Sequence, residues 1–192
     1  MPRRRSSPAC VLPPPAALAF LKAAKDVGYA PRMASFAKAF PFPGTVAQVA
    51  QVAPPNMIVT NEVWWSPAWP FRSMLTGATS AQVVKDYEVA TGQQWVQTLG
   101  FSHAMVDVAA QTVARARAMT RDGLRDSLSR LKAQTVVGPL NFVGRNPIVN
   151  VCSTPAVGGQ WIKNASGRWV LEVVDNTRSP FIPATAKLTV SS

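Results

Sequence analysis

Histidine is the scarcest chemical side chain in this sequence, with His103 alone among 192 residues. Cysteine is almost as rare: Cys10 and Cys152 lie far apart. One imidazole and two distant thiols cannot complete the three or four ligands of a zinc site, so neither a metal nor another cofactor is expected. Two widely spaced cysteines also say little about redox compartment. Gly-x-Ser-x-Gly is missing, and Gly158-Gly159 precedes a strand pattern rather than a helix start, which leaves no phosphate cradle or dinucleotide fingerprint. No apolar run approaches the roughly 18 to 20 residues that a membrane span needs.

Acidic residues are few as well, nine against 20 Lys and Arg, for a net charge of +11. The basic excess is dispersed. Arg3 to Arg5 sit at the start, and Arg115, Arg117, Arg121, Arg125 and Arg130 are spread along a helical region interleaved with Asp122 and Asp126. Without a zinc finger, basic zipper or aromatic ribonucleoprotein motif to concentrate that charge, no nucleic-acid partner is expected. Arg3 to Arg5 imitate the opening of an export signal, but Pro8 and Pro13 to Pro15 interrupt the apolar stretch such a signal requires.

What the chain does have is apolar content of 47% and an alternation of helix and strand signals. Residues 1–15 read as a basic, proline-rich leader without a core-forming pattern, expected to be disordered. Ala16, Leu18, Phe20, Leu21 and Ala24 then make a helical run closed by Gly28. A short strand is predicted at Arg32 to Phe36, a loop at 37–44, a helix over Thr45 to Ala50 and a strand over Met57 to Val63. This rhythm is that of a parallel α/β layer.

Further on, Thr79 or Ser80 caps a helix from Ala81 to Ala90 that Gly92 ends. A longer helix is predicted from Thr98 to Met119, with Phe101, Met105, Val108 and Thr112 at helical spacing. Thr120 caps a third, Arg121 to Ala133, with Leu124, Leu128 and Leu131 on one stripe. Val136 to Phe142 reads as extended, and Gln160–Lys163 with Trp169–Val174 as a hairpin across Asn164 to Arg168.

Three of the six tryptophans fall in the stretch Trp64-Trp65-Ser66-Pro67-Ala68-Trp69. Rigid aromatic area at the end of a strand suits the wall of a small-molecule pocket. An indole filling a core is the ordinary alternative, weakened for an adjacent pair because neighbours on a strand face opposite ways. Catalysis would need a constellation. The nearest is His103 with Asp107 one helical turn on, the pairing a small hydrolase could use as an oriented base, but no nucleophile accompanies it.

Several segments together resemble the solute-binding proteins of ABC importers, of the branched-chain-amino-acid type with the type I periplasmic-binding fold. They are Phe20-Leu21-Lys22-Ala23-Ala24-Lys25-Asp26-Val27-Gly28-Tyr29, Glu62-Val63-Trp64-Trp65-Ser66-Pro67, Leu75-Thr76-Gly77, Thr91-Gly92-Gln93-Gln94-Trp95, Leu99-Gly100-Phe101-Ser102-His103-Ala104, Val137-Gly138-Pro139 and Gly159-Gln160-Trp161. The resemblance runs from about Ala16 to the end and covers what looks like the C-terminal half of such a protein. It implies an incomplete two-lobe α/β architecture, with parallel sheet layers, flanking helices and a C-terminal hairpin. By it, residues 16–94 belong to the second lobe, 95–137 return to the first, and 138–192 cross back.

The resemblance also implies a non-catalytic protein of the periplasm or cell envelope. It would take a small amino-acid-like or polar solute and deliver it to a membrane permease. The strand-end loops Ser35 to Phe40 and Glu62 to Ser66 would face the solute, making Trp65, Trp64, Glu62, Lys38, Phe36 and His103 the candidate contacts, Trp65 foremost. Amino-acid binders of this type carry an acidic residue in the first loop to hold the ligand's ammonium group. Here the stretch is Phe36-Ala37-Lys38-Ala39, and Lys38 suits a carboxylate.

Overall fold

The helix–strand rhythm is realised, and it starts earlier than the pattern suggests. The computed structural model describes residues 7–54, 56–144 and 148–189. In chain order the first elements are β1 (Ala9–Val11), α1 (Pro14–Asp26), β2 (Met33–Ala37), α2 (Pro43–Val52) and β3 (Ile58–Val63). There follow α3 (Ser80–Thr91), α4 (Thr98–Arg115), α5 (Arg121–Ser129), β4 (Lys132–Thr135), β5 (Gly138–Asn141), β6 (Val157–Lys163) and β7 (Trp169–Asp175).

The stretch expected to be a structureless leader therefore contributes an edge strand from Ala9 and the first turn of α1 from Pro14. Its residues 1–6 lie outside those described. Proline does not prevent this, because the first turn of a helix has no use for its N–H and its fixed φ suits the start. α2 begins in the same way, at Pro43.

Two compact units divide the chain: Met1–Val63 with Val157–Ser192, and Trp64–Ala156. The crossings fall at Val63/Trp64 and Ala156/Val157, rather than near residues 94 and 137 where the resemblance set them. Both lie at a strand terminus: the first at the end of β3, with Pro67 following, and the second at the start of β6, with Pro155 preceding.

In the first unit the strands are ordered β1-β2-β3-β6-β7. β1, β2 and β3 are parallel, and β6 and β7 continue the sheet antiparallel. Successive right-handed crossovers running the same way across a sheet put their helices on one face. That face is buried: Ala34 and Phe36 of β2 and Val59 and Val63 of β3 meet Ala17 and Leu21 of α1 and Val46 and Val49 of α2. Phe36 stands edge-on to both Phe20 and Phe40, at centroid separations of 5.7 and 5.5 Å. Trp161 on β6 closes the layer by donating its indole N–H to the Phe40 carbonyl at 2.7 Å. The β6–β7 hairpin matches expectation, and its loop is shaped by Asn164, whose side-chain oxygen accepts the N–H groups of Ser166 and Arg168.

The second unit is three helices and a two-stranded ribbon. Thr79 caps α3 by accepting the Gln82 N–H, and Gly92 ends it at φ 67°, the left-handed conformation a glycine adopts freely. Thr120 caps α5 by accepting the Gly123 N–H. The helix predicted to reach Ala133 stops at Ser129. Lys132–Thr135 pairs instead with Gly138–Asn141 across the Val136-Val137 turn, so what read as one extended segment is half of a hairpin. Thr135 holds that turn, its hydroxyl donating to the Gly138 carbonyl at 2.8 Å.

Candidate functional site

Parallel sheets place ligand-binding loops at the carboxyl ends of their strands. In the first unit those ends belong to β2 and β3, and a groove of about 360 Å³ runs along them on the sheet face away from α1 and α2. Met33, Ser35 and Ala37 line it from β2, Thr60, Asn61 and Glu62 from β3, and Gly158, Asp175 and Leu188 from the antiparallel side. The polar groups gather at the strand ends.

Lys38 follows the last residue of β2 with φ 62°, a left-handed conformation uncommon outside glycine. Its backbone N–H donates to Glu62 Oε1 at 2.6 Å, a short contact of the charge-assisted kind. The Lys38 side chain is exposed. The structure thus joins two of the sequence candidates, Lys38 and Glu62, through a backbone contact that neither residue type announces.

Asp175, on the same groove, has its carboxyl held below the ordinary aspartate range by the Thr177 hydroxyl, which donates to Oδ1 at 2.6 Å, and by the Thr177 backbone N–H at 3.0 Å. A depressed folded pKa contributes stability above the unfolded value, lost as pH falls through the folded one. Asp175 is therefore ionised throughout the neutral and mildly acidic range. Thr177→Ala should move its pKa up towards the ordinary aspartate range, as read by carboxyl NMR titration. An unmoved titration would count against the hydroxyl as the main cause.

The other candidates fall elsewhere. Phe36 is in the helix-side core with 1% exposure. Trp65, expected as the foremost ligand contact, has no exposure at all. Its indole N–H is shared between Ser80 Oγ and the Val136 carbonyl, both at 3.1 Å, and its ring meets Trp95 edge-on at 5.9 Å. A Cβ on Gly100 would come within 2.2 Å of that ring, so α4 can approach only because residue 100 is glycine. Trp65 and Phe36 are core side chains with no surface left to offer a solute. Trp64 is half-buried, its backbone N–H donating to the side chain of buried Gln97 at 2.8 Å. It keeps part of its ring open.

His103 Nδ1 lies 3.5 Å from Asp107 Oδ2, an ion-pair distance too long for a good hydrogen bond. Asp107 is fully buried, and its other oxygen accepts the Ser73 hydroxyl at 2.7 Å. In this row the carboxylate stands between serine and histidine. A nucleophilic triad needs the imidazole in the middle to take the hydroxyl proton. The arrangement anchors the 72–79 turn to α4: Ser73 Oγ also accepts the Thr76 N–H, and the Ser73 backbone pairs with Ala78 and Gly77.

The second unit has its own cavity, of about 490 Å³, between α4, α5 and the β4–β5 ribbon. Phe101, Met105, Val108, Leu124, Leu128 and Leu140 give it an apolar wall, and Cys152 borders it with a thiol pushed up by burial. Sequence reasoning had Phe101, Met105, Val108 and the leucines as an inward stripe. That they bound a recess depends on how far apart the two helices stand. Among the described residues no group of three or more His, Cys, Asp or Glu could hold a metal ion, and no helix is long and apolar enough to cross a membrane.

Comparison with known proteins follows the same geometry. The family model described as periplasmic binding protein matches residues 9–158, so the match includes Ala9–Val11, which the sequence reading had set outside the family. No curated protein matches. Among solved structures, the leucine-binding protein LivK from Thermotoga maritima superimposes with a TM-score of 0.64 at 13% identity, over 88% of this chain and 44% of that one. An extracellular ligand-binding receptor from Rhodopseudomonas palustris gives a TM-score of 0.58 at 18% identity, over 85% and 47%. An ABC-transporter solute-binding protein of R. palustris, solved with benzoate, gives 0.51 at 12% identity, over 92% and 49%. At these identities the likeness is one of fold: part of a type I periplasmic-binding architecture. The chain spans less than half the length of each of these structures.

Proposed function

The chain belongs to the periplasmic binding protein family, and from that premise we propose that it is the C-terminal half of an extracytoplasmic solute-binding protein serving an ABC importer. The observation that carries this is the family match from Ala9 onward, coinciding with a parallel sheet whose strand-end loops carry Lys38 and Glu62. Its branched-chain-amino-acid type rests on the resemblance of the segments quoted above. Lys38 and Glu62 of the first unit are the residues proposed to face the solute; Trp64 and, as a lesser contact, His103 are proposed contacts belonging to the second unit. Lys38 in the loop where amino-acid binders carry an acid favours a small organic carboxylate over a simple ammonium. Members of the family are transport components without catalysis of their own. The partner would be a membrane permease.

The chain spans less than half the length of these structures, and it is proposed to supply only part of the site. Titration of the chain with leucine, benzoate and small amides, followed by NMR, should give weak binding, in the millimolar range typical of the least favourable specific contacts. Joined to the polypeptide that completes the fold, the same solute should bind much more tightly. If a completed protein ignores the whole panel, this reading fails.

A further inference from the structure

Glu62 and Lys38 were both candidate contacts, and the bond between them suggests different tasks for the two. We infer that Glu62 is a positioning residue: its carboxylate holds the Lys38 loop so that the Lys38 ammonium receives the carboxylate of an anionic solute. This rests on the solute-binding reading and names the chemical class that the strand-end site accepts.

Three observations lead to it. The first is the 2.6 Å bond from the Lys38 N–H to Glu62 Oε1, which ties the residue just after β2 to the next strand. The parallel register sets Ser35 beside Thr60. Carried to the strand ends, that register brings the Glu62 side chain under the turn after Ala37. The second is the left-handed backbone of Lys38, φ 62°. A lysine gains nothing locally from that conformation, and a neighbouring interaction must hold it there. Glu62 supplies such an interaction. The third is the state of the charges. Glu62 accepts from the loop backbone, and Asp175, the other carboxylate on the groove, accepts both the hydroxyl and the N–H of Thr177. Lys38 is exposed, and among the described residues no ion pair involves it.

Both Thr177 donors fall on Asp175 Oδ1, so the preference for an anion comes from Lys38: an anionic solute meets an ammonium already presented at the strand end. The net charge of +11 works in the same direction, because a positive field raises the local concentration of anions. Leucine or another zwitterion could also place its carboxylate on Lys38, but a plain ammonium compound could not.

The test uses the whole chain, with sodium benzoate as the anionic probe and ethylammonium chloride as the cationic one. Binding is read from NMR shifts of the Lys38 and Ala39 amides, and loop order from the exchange rate of the amide at position 38. Benzoate should move these resonances, and ethylammonium should not. Glu62→Ala should speed the exchange and weaken benzoate by about tenfold, the equivalent of one charge-assisted hydrogen bond. Glu62→Gln keeps an acceptor oxygen and should restore most of both. Lys38→Gly suits the left-handed backbone, so exchange should stay slow while the benzoate shifts vanish.

If Glu62→Ala leaves exchange and benzoate affinity unchanged, the positioning role is overturned. A response to ethylammonium in place of benzoate would overturn the anion class while leaving solute binding intact. Silence towards benzoate, ethylammonium and leucine together would remove the solute-binding reading as well.

Discussion

Trp65→Ala should destabilise the second unit by about 3–5 kcal/mol, the range for removing a large aromatic from a packed interior. The side chain has no exposure, and α4 is fitted against it at Gly100. Its loss opens a void where three parts of the unit meet, and it leaves the shared acceptors Ser80 Oγ and the Val136 carbonyl without the indole donor. Trp65→Phe keeps most of the bulk and loses only the N–H, so it should cost about 1–3 kcal/mol. Urea denaturation, with hydrogen exchange measured separately on α3, α4 and the β4–β5 ribbon, distinguishes the two. If Trp65→Ala unfolds no more easily than the parent chain but loses solute binding, the indole is a ligand contact after all.

Gly159→Ala should damage the first unit, by overpacking. A Cβ there would lie 2.1 Å from Val63 Cγ2 and 3.1 Å from the Glu172 carbonyl oxygen. One obstacle is a side chain of β3 and the other is backbone of β7, so β6 has no direction in which to yield. The expected destabilisation is about 1–3 kcal/mol, appearing as faster amide exchange in β3, β6 and β7. Gly167→Ala in the hairpin loop meets no atom within 4 Å and carries only the strain of φ 78°. It should therefore affect the turn and leave the sheet intact. Equal losses from both substitutions would mean that close approach at Gly159 is not what matters.

Much of the architecture was legible because local rules and the tertiary structure agree. Thr79 and Gly92 bracket α3 as their side-chain chemistry dictates, and Thr120 starts α5 for the same reason. The strand at Ile58–Val63 and the β6–β7 hairpin follow from period-two patterning and a loop that Asn164 can brace. The misreadings occurred where local signals compete. Proline suggested a structureless leader, yet Pro14 sits in the one part of a helix that does not need its N–H. Leu131 continued the α5 stripe, but β-branched Thr135, Val136 and Val137 form a ribbon that ends the helix sooner.

Within the site, Lys38 was legible as a basic residue in a strand-end loop, and Glu62 as a carboxylate at the end of β3. Their contact was not, because it is made by a backbone N–H that every residue but proline carries. Trp65 was misplaced for a different reason. An indole suits a pocket wall and a core equally well, and whether the ring is covered depends on Gly100, thirty-five positions along the chain.

The sequence by itself determined the class of the protein: α/β alternation, no metal-binding set, dispersed positive charge, and segments in the order of a solute-binding family. These are properties of composition and local pattern, written in side-chain period and turn chemistry. Only the tertiary structure decided which aromatic is buried, where the chain passes from one unit to the other, and that the Lys38 N–H meets the Glu62 carboxylate. Those outcomes depend on distances between residues remote in sequence, set by how closely strands and helices pack, and no local pattern encodes them.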